Sequence, residues 1–506
     1  MRFASASEIR ALDAAANAAV RLPGPAPEDG APPLMRLAAL ALADTVEGLA
    51  ARLPTRPEVI AVAGGGDNGA DAALAASLLA ERGFRTSVLR VSDATSWTDA
   101  PSACVPACAI VLDGILGIGL HGVPRPDAAA AIGWINRAHD KRGALVVAVD
   151  LPSGIEADTG AVPGAAVHAD FTVTMGLPKR AFAQLSVLPL CGEIVLAPLP
   201  YPPSSEVPAS PPSGAISSLF TALDLRRSLP PRSWAAHKGD FGRVALFVGS
   251  ARYSGAGSLA VHGALRGGAG LVSAHVPQAL VPALAAQAPE AMVRGYDAPS
   301  LSPEVLASLG TDLAGAVVAV GCGLSLAPGV ADGVRWLLST PGVRTFVLDA
   351  DALSVLSPLP SGAAGSGPGD SVAGSVPSIL TPHPGEAARL LGTTAAAVQA
   401  DRPAAALALA ARSGATVILK GAGSLVATPG RDLTLVAAGN PGLARGGSGD
   451  LLCGLCAALL ARGLPPHEAA CAAAFLHGRA ADLAALRRTQ EGLLPTDLLD
   501  ELWSLP

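Results

Sequence analysis

The feature that most constrains this chain is an alternation, run through twice, of short apolar strands with alanine-rich helical stretches. In the first half the strand candidates are Glu58–Gly64, Thr86–Ser92, Ala109–Gly114, Ala144–Leu151 and Phe171–Gly176. Helical stretches such as Asp71–Glu81 and Asp127–His139 separate them. Strands that are apolar throughout fit a parallel sheet covered on both faces, and the intervening helices supply the crossovers. The pattern stops at LPYPPSSEVPASPPSG (Leu199–Gly214), a Pro/Ser-rich stretch with one charge and no periodicity. It then restarts at Arg243–Ser250 and continues through Gly270–Pro277, Ala316–Cys322, Thr345–Ala350, Ser378–Pro382, Thr416–Gly421 and Ser424–Pro429. The expected organisation is therefore two α/β domains, 1–205 and 222–506, joined by a linker over 206–221. The Gly/Ser/Pro-rich segment Ser361–Ser378 reads as a surface loop.

Composition narrows the function classes. The chain has 506 residues, of which 50% are hydrophobic and 15% charged, and its net charge is -6. Such a chain builds large cores and lacks the basic footprint of a nucleic-acid binder. It has no Lys/Arg-rich run to attract an anionic membrane surface. Mean hydropathy is positive, but apolar runs such as Leu451–Ala461 are about half of the roughly 20 residues that span a bilayer. Glu8, Arg10 and Asp13 interrupt the N-terminal stretch, so it does not read as a signal peptide, and the expected location is the cytoplasm. Seven cysteines are scattered along the chain. Cys104 and Cys108, and Cys453 and Cys456, are closely spaced. Neither pair has a second pair or a His cluster nearby, so all seven read as small buried hydrophobes.

Three polar strand ends stand out in the first half. AGGGDNGADA (Ala63–Ala72) joins a strand to a helix, Asp113 ends the next strand before GILGIGLHG (Gly114–Gly122), and Asp150 ends another before LPSG (Leu151–Gly154). Open α/β sheets bind ligands at that edge, and a glycine turn opening a helix favours anions. These motifs resemble those of the NAD(P)H-hydrate epimerase family, which implies a Rossmann-like three-layer αβα domain over most of residues 1–200. By that resemblance Asp67, Asn68, Gly69, Ala70 and Asp71 contact the hydrated nucleotide. So do Gly117, Ile118, Gly119, Leu120, His121, Gly122, Val123 and Asp150. Asn68, Asp113 and Ser153 match the family's potassium ligands, all hard oxygen donors. Asp150 or Asp71 would assist ring opening or hydroxyl loss, with Asp150 the first choice as catalytic residue. The sequence departs from the family at Asp67, Ala70, Ala72 and Ile118. The added charge of Asp67 beside a phosphate-bearing ligand is unfavourable unless something offsets it.

The second half carries denser motifs. They are the segment opening with HKGDFG at His237, GCGL at Gly321, LDADAL at Leu348, TPHPGE at Thr381, KGAGS at Lys420, and GNPGLARGGSGDLLCG from Gly439 to Gly454. GGSGD followed by an apolar helix is a glycine turn whose amides can hold phosphate or developing negative charge. Asp450, in the helix's first turn, has the position of a general base. Lys420 is either a phosphate partner or a solvated strand end.

Together these motifs resemble the ADP/ATP-dependent NAD(P)H-hydrate dehydratases, of ribokinase-like fold, over nearly all of residues 222–506. The resemblance implies that Ala256, Gly323, His383 and Asp450 touch the hydrated nicotinamide nucleotide. It implies that Lys420, Gly421, Ala422, Gly423, Ser424 and Gly449 hold the adenosine phosphate. Arg445 stands where the family commonly has Thr and offers another phosphate contact. The implied chemistry is phosphorylation of the C6 hydroxyl of hydrated NADH or NADPH, with Asp450 as base, followed by phosphate loss. ADP is the expected donor, with ATP the alternative, and Mg2+ accompanies its phosphates. The first half would interconvert the R and S hydrates so that both are recovered, with K+ as its ion. A homo-oligomer is expected. The rival reading is a ribokinase-like small-molecule kinase with an N-terminal binding or oligomerisation module. The TPHPGE and KGAGS segments count against it.

Overall fold

The computed structural model describes residues 1–20, 31–92, 97, 105, 106, 108–201, 215–360 and 378–504. Cys104, Pro202–Gly214 of the Pro/Ser-rich stretch and Ser361–Pro377 lie outside the described residues. The chain forms two compact units. The first begins at Met1 and includes Ser217–Leu223, and the second covers Asp224–Ser504.

The first unit opens with α1 (Ala6–Ala19) and α2 (Pro33–Ala50). Ser5 caps α1 and Glu8 reaches back to the Ser5 amide, closing a capping box. There follow β1 (Glu58–Ala63), α3 (Asp67–Glu81), β2 (Arg85–Arg90), β3 (Ala109–Gly114), α4 (Pro126–Arg142), β4 (Leu145–Val149), β5 (Phe171–Met175), α5 (Leu188–Cys191) and β6 (Glu193–Ala197). Proline at its first position and left-handed Gly143 at its end bound α4. The six strands pair in parallel in the order β2-β1-β3-β4-β5-β6. β1 hands the chain to β2 on one side while β3 lies on the other, so the sheet reverses direction between β1 and β3. That is where such sheets open a ligand crevice. Val59–Ala63, Ala109–Leu112 and Val146–Val149 are all buried, as expected for strands covered on both faces.

The stretch expected as linker, 206–221, is not irregular throughout. Its end forms β7 (Ile216–Leu219). Ser218 bridges antiparallel to Arg2, and the Leu219 amide donates to the Met1 carbonyl at 2.8 Å. The N-terminal residues supply backbone partners that local composition does not announce.

The second unit follows α6 (Ala222–Ser228) with β8 (Arg243–Phe247), α7 (Ser254–Arg266), β9 (Leu271–Pro277), α8 (Val281–Gln287), β10 (Met292–Tyr296), α9 (Pro303–Ser308) and β11 (Val317–Val320). It continues with α10 (Val330–Leu338), β12 (Thr345–Leu348), α11 (Ala350–Val355), β13 (Ser378–Leu380), α12 (Pro384–Leu391), α13 (Ala395–Ala400) and α14 (Arg402–Ser413). It ends with β14 (Thr416–Leu419), β15 (Ser424–Ala427), β16 (Leu433–Val436), α15 (Ser448–Ala461) and α16 (Pro466–Gly492). The sheet runs β10-β9-β8-β11-β12-β13-β14-β15-β16. It is parallel up to β14 and antiparallel from β14 to β16. This is an α/β unit whose strand order reverses between β8 and β11.

The apolar run Leu451–Ala461 is the body of α15, and every one of its residues is buried. A Cβ on Gly263 of α7 would stand 2.2 Å from the Leu451 carbonyl, and one on Gly454 would stand 2.0 Å from the Ala260 carbonyl. The two helices therefore cross backbone to backbone, which only glycine permits. The run's hydrophobicity serves this core. No helix among the described residues is long and apolar enough to cross a membrane.

Candidate active sites

In the first unit the glycine turn Gly64–Gly66 leads from β1 directly into α3, whose first residue is Asp67. Gly69 is required there, since a Cβ would stand 2.1 Å from the Gly64 carbonyl. The departures at Asp67, Ala70 and Ala72 are absorbed. Ala70 is exposed, and Ala72 is buried with its methyl against Gly114, which has no side chain to collide with it. Asp67 is exposed in the first turn of α3, where the helix dipole and solvent both accommodate its charge.

Asn68, Asp113 and Ser153 come together. Ser153 donates its hydroxyl to Asp113 at 2.6 Å and its amide to the same carboxylate at 2.8 Å. Asn68 Nδ2 reaches the carbonyls of Leu116 (3.1 Å) and Val149 (2.7 Å), and the Ser153 hydroxyl also faces the Leu116 carbonyl at 3.2 Å. Burial pushes Asp113 up to about 6, while the Ser153 and Ile115 hydrogen bonds oppose the rise. The 117–123 loop begins against this group, for a Cβ on Gly117 would stand 2.5 Å from Asn68 Oδ1. His121, Gly122 and Val123 are exposed, and the Gly122 amide donates to Glu156.

Asp150 lies beyond β4 with φ +69, a left-handed conformation that is costly for a non-glycine residue. It accepts the Met175 amide at 2.9 Å and is ion-paired with fully buried Lys179. Lys179 also donates to Thr174 Oγ1 (3.1 Å) and the Met175 carbonyl (3.0 Å). Asp71 differs. It is buried, and its Oδ1 has no hydrogen-bond partner among the described residues. Burial first, then the charges of Asp150, Asp67 and Asp13, push it up to about 8. Asp13, on α1, is hydrogen-bonded to Tyr201 at 2.9 Å, and burial raises its pKa too.

In the second unit the ends of β11, β12, β13 and β14 and the start of α15 converge. Gly323, at φ +66 beyond β11, abuts Ala256 of α7, since a Cβ on Gly323 would stand 2.7 Å from the Ala256 methyl. Asp349 ends β12 almost fully buried. Its Oδ1 accepts Thr381 Oγ1 at 2.7 Å and Lys420 Nζ at 3.1 Å. Lys420 lies 3.8 Å from Glu386 as well. Burial works against the charge of Lys420, but Asp349 and Glu386 together hold its pKa raised. Lys420 is thus no solvated strand end: it is an ammonium neutralised by two carboxylates.

His383 caps α12, its Nδ1 accepting the amides of Gly385 (3.0 Å) and Glu386 (3.4 Å) while its Nε2 lies 3.4 Å from Glu386 Oε1. The histidine between two prolines therefore has a capping role, and its half-exposed ring remains at the site's edge. The Gly421–Gly423 turn links β14 to β15. Arg402 braces it from beneath, donating to the carbonyls of Lys420 (3.3 Å) and Gly423 (2.8 Å). Gly421 and Ala422 are exposed. Arg445, offered above as a phosphate contact, donates instead to the Glu491 carbonyl at 2.8 Å.

Asp450 is the third residue of α15, after left-handed Gly447. Burial, then the charge of Asp349, push it up to about 7. A hydrogen bond from Cys322 and the charge of Lys420 oppose the rise.

Sequence reasoning missed Lys179, Asp13, Tyr201, Glu386 and Arg402 as site residues. Lys179 closely follows β5, so the strand-end logic applied to the other strands would have found it. Asp13 and Tyr201 meet across 188 residues, and nothing local signals that.

A family model described as NAD(P)H-hydrate dehydratase matches residues 244–503. A second, described as YjeF-related protein N-terminus, matches 32–105 and 89–181. The chain is 41% identical over 397 residues, 78% of its length and 72% of the relative's, to the bifunctional NAD(P)H-hydrate repair enzyme Nnr of Moorella thermoacetica. Over 266 residues, 52% of this chain and 84% of the relative, it is 42% identical to the ADP-dependent (S)-NAD(P)H-hydrate dehydratase of Neisseria meningitidis serogroup B. Among solved structures, an ADP/ATP-dependent NAD(P)H-hydrate dehydratase from Bacillus subtilis, co-crystallised with ATP/Mg2+, shares 30% identity. It covers 57% of this chain and 97% of its own, with a TM-score of 0.49. With both halves matched in this order, the chain belongs to the family of bifunctional NAD(P)H-hydrate repair enzymes.

Proposed function

We propose that this enzyme repairs hydrated NADH and NADPH, the first unit interconverting the R and S epimers and the second dehydrating the S epimer with ADP as phosphoryl donor. The observation that carries the reading is Asp450. A carboxylate in the first turn of a helix, beside a glycine turn and pushed up to about 7, suits a general base at neutral pH.

In the second unit Asp450 takes the proton of the C6 hydroxyl as its oxygen attacks the terminal phosphoryl group of ADP, releasing AMP. Amides of the Gly446–Gly449 turn stabilise the negative charge of the transferring group. The ring nitrogen lone pair then expels phosphate from C6, and loss of a C5 proton restores the C5–C6 double bond. Magnesium belongs to the nucleotide substrate, riding on its phosphates. Because Asp349 and Glu386 neutralise Lys420, phosphate is held mainly by the exposed amides of the Gly421–Gly423 turn. Lys420 positions Asp349 and braces the site beneath Gly449. Ala256 and Gly323, in contact with each other, form a smooth wall for the nicotinamide ring.

In the first unit the geometry favours Asp71 over Asp150 as the proton carrier. Asp150 is committed to Lys179 and the Met175 amide. Asp71, with a free oxygen and a pKa near 8, is protonated at neutral pH and can deliver that proton to the departing C6 hydroxyl. The ring nitrogen stabilises the cation left behind. Water returns to either face and gives the proton back to Asp71.

The carboxylate of Asp113, the hydroxyl of Ser153 and the carbonyls of Leu116 and Val149 are hard oxygen donors gathered around the Asn68 side chain, so they fit a potassium ion. Asn68 would turn its Oδ1 toward it. A cation there supplies positive charge beneath the nucleotide turn.

The test supplies mixed hydrated NADH with ADP and magnesium and follows the return of dihydronicotinamide absorbance. Complete recovery is expected. Recovery that stalls at the S fraction removes the epimerase claim, and a stable phosphorylated product removes the dehydratase claim.

A further inference from the structure

Two cysteines beneath the dehydratase site stand out from the other thiols. Cys322 follows β11 and Cys453 lies on α15, and both are fully buried. Their sulfurs and a carboxylate oxygen of Asp349 all lie within 4.8 Å of one another. Cys322 Sγ lies 3.7 Å from Asp349 Oδ2 and donates to it. The oxygens of Asp349 are divided. Oδ1 is taken by Lys420 and Thr381, and Oδ2 is the one turned to the thiols.

This is the arrangement of a tetrahedral thiolate site. Zinc–sulfur bonds of about 2.3 Å and zinc–oxygen bonds of about 2.1 Å put tetrahedral sulfur and oxygen ligands about 3.6 Å apart. The observed sulfur-to-Oδ2 separation needs almost no adjustment to meet that. Thr381 and Lys420 supply outer hydrogen bonds that fix the carboxylate, as partners of metal ligands generally do.

We propose that Cys322, Cys453 and Asp349 form a binding site for a thiophilic divalent cation of the zinc class. Binding converts two thiols to thiolates and releases two protons to solvent. It also engages the Asp349 carboxylate, which with Lys420 packs against Gly449 at the start of the helix that carries Asp450, so an occupied site is a switched-off dehydratase. Soft sulfur ligands select against magnesium, so the cation that accompanies the nucleotide does not trigger it.

Co2+ added to the reduced full-length enzyme is the probe. One equivalent is expected to produce sulfur-to-cobalt charge-transfer absorption that Zn2+ abolishes by displacement. Cys322→Ala and Cys453→Ala should each weaken binding by at least about 100-fold, since even outer-shell changes cost 10–100-fold. Cys456→Ala, one turn further along α15, should bind as wild type. Zn2+ should stop dehydration reversibly in wild type but not in Cys453→Ala. The proposal is overturned if wild type gives no charge-transfer band, if the band persists in both the Cys322 and Cys453 variants, or if Zn2+ inhibits Cys453→Ala as it does wild type. The cobalt readout does not depend on turnover, so it stands apart from the assigned reaction.

Discussion

Lys420 Nζ lies 3.1 Å from Asp349 Oδ1, and the start of α15 closes over the pair: a Cβ on Gly449 would stand 3.1 Å from Nζ and 3.6 Å from Asp349 Oδ2. The pair joins the ends of β12 and β14 to the helix that carries Asp450. It also sets the electrostatics of Asp450, since Asp349 raises its pKa and Lys420 lowers it.

Lys420→Met leaves Asp349 buried with no cation beside it, supported by the Thr381 hydroxyl and the Cys322 thiol. Breaking a buried pair from one side costs about 3–5 kcal/mol. The denaturant midpoint of the second unit's transition should fall accordingly, with little change in slope. A midpoint equal to wild type would show that the pair contributes no net stability.

A base pushed up to about 7 must be deprotonated to act, so dehydration should accelerate as pH rises through about 7 and then level off. Asp349→Asn removes the largest charge contribution to that rise and should move the inflection to lower pH. An unmoved inflection would assign the titration to another group.

Asp450→Asn and Asp71→Asn should separate the two activities. General-base loss typically costs about 10²–10⁴-fold. Asp450→Asn should lose dehydration by that order and retain epimerisation, while Asp71→Asn should do the reverse. Epimer-resolved chromatography alongside the absorbance assay reads both. If Asp71→Asn interconverts the epimers normally and Asp150→Asn does not, the roles of the two acids are exchanged.

Gly323→Ala combines a positive φ with a methyl 2.7 Å from that of Ala256. The dehydratase KM for the hydrate should rise at least several-fold, with thermal stability of the first unit's transition unchanged. A wild-type KM would place the nicotinamide ring elsewhere.

His139 provides a pH test of stability. The Asp170 hydrogen bond, opposed by burial, raises it to about 9 from an ordinary 6.5. A group raised on folding stabilises fully below its unfolded pKa, and that contribution fades as pH climbs through the folded value. The Tm difference between wild type and His139→Gln should therefore be largest near about pH 6 and vanish by about pH 10. A difference that grows with pH would contradict this linkage.

The strands β1, β3, β4, β8, β11, β12 and β14 were legible because each is a buried apolar run ending in glycine or a polar residue. β6, β10 and β16 were not anticipated. β10 reads MVRGY and is half exposed at the sheet edge, so it lacks the unbroken apolar signature. At the sites, Asp150 and Lys420 were legible as chemistry-bearing strand ends, but their partners Lys179, Asp349 and Glu386 were not. The cysteines were read only as small hydrophobes because Cys322 and Cys453 lie 131 positions apart.

The double α/β alternation, the glycine turns and the Asp450 position follow from the sequence alone, because each depends on residues close together along the chain. Charge is different, because it acts through space. Asp71 is pushed up to about 8 because burial and the charges of Asp150 and Asp13, brought from distant parts of the chain, add to that of Asp67 on its own helix. Lys420 becomes a neutralised brace because β12 and α12 bring carboxylates to it. Two buried thiols become a candidate metal site because one oxygen of Asp349 is already occupied and the other is turned toward them. Those properties exist only once folding removes water and brings distant residues together.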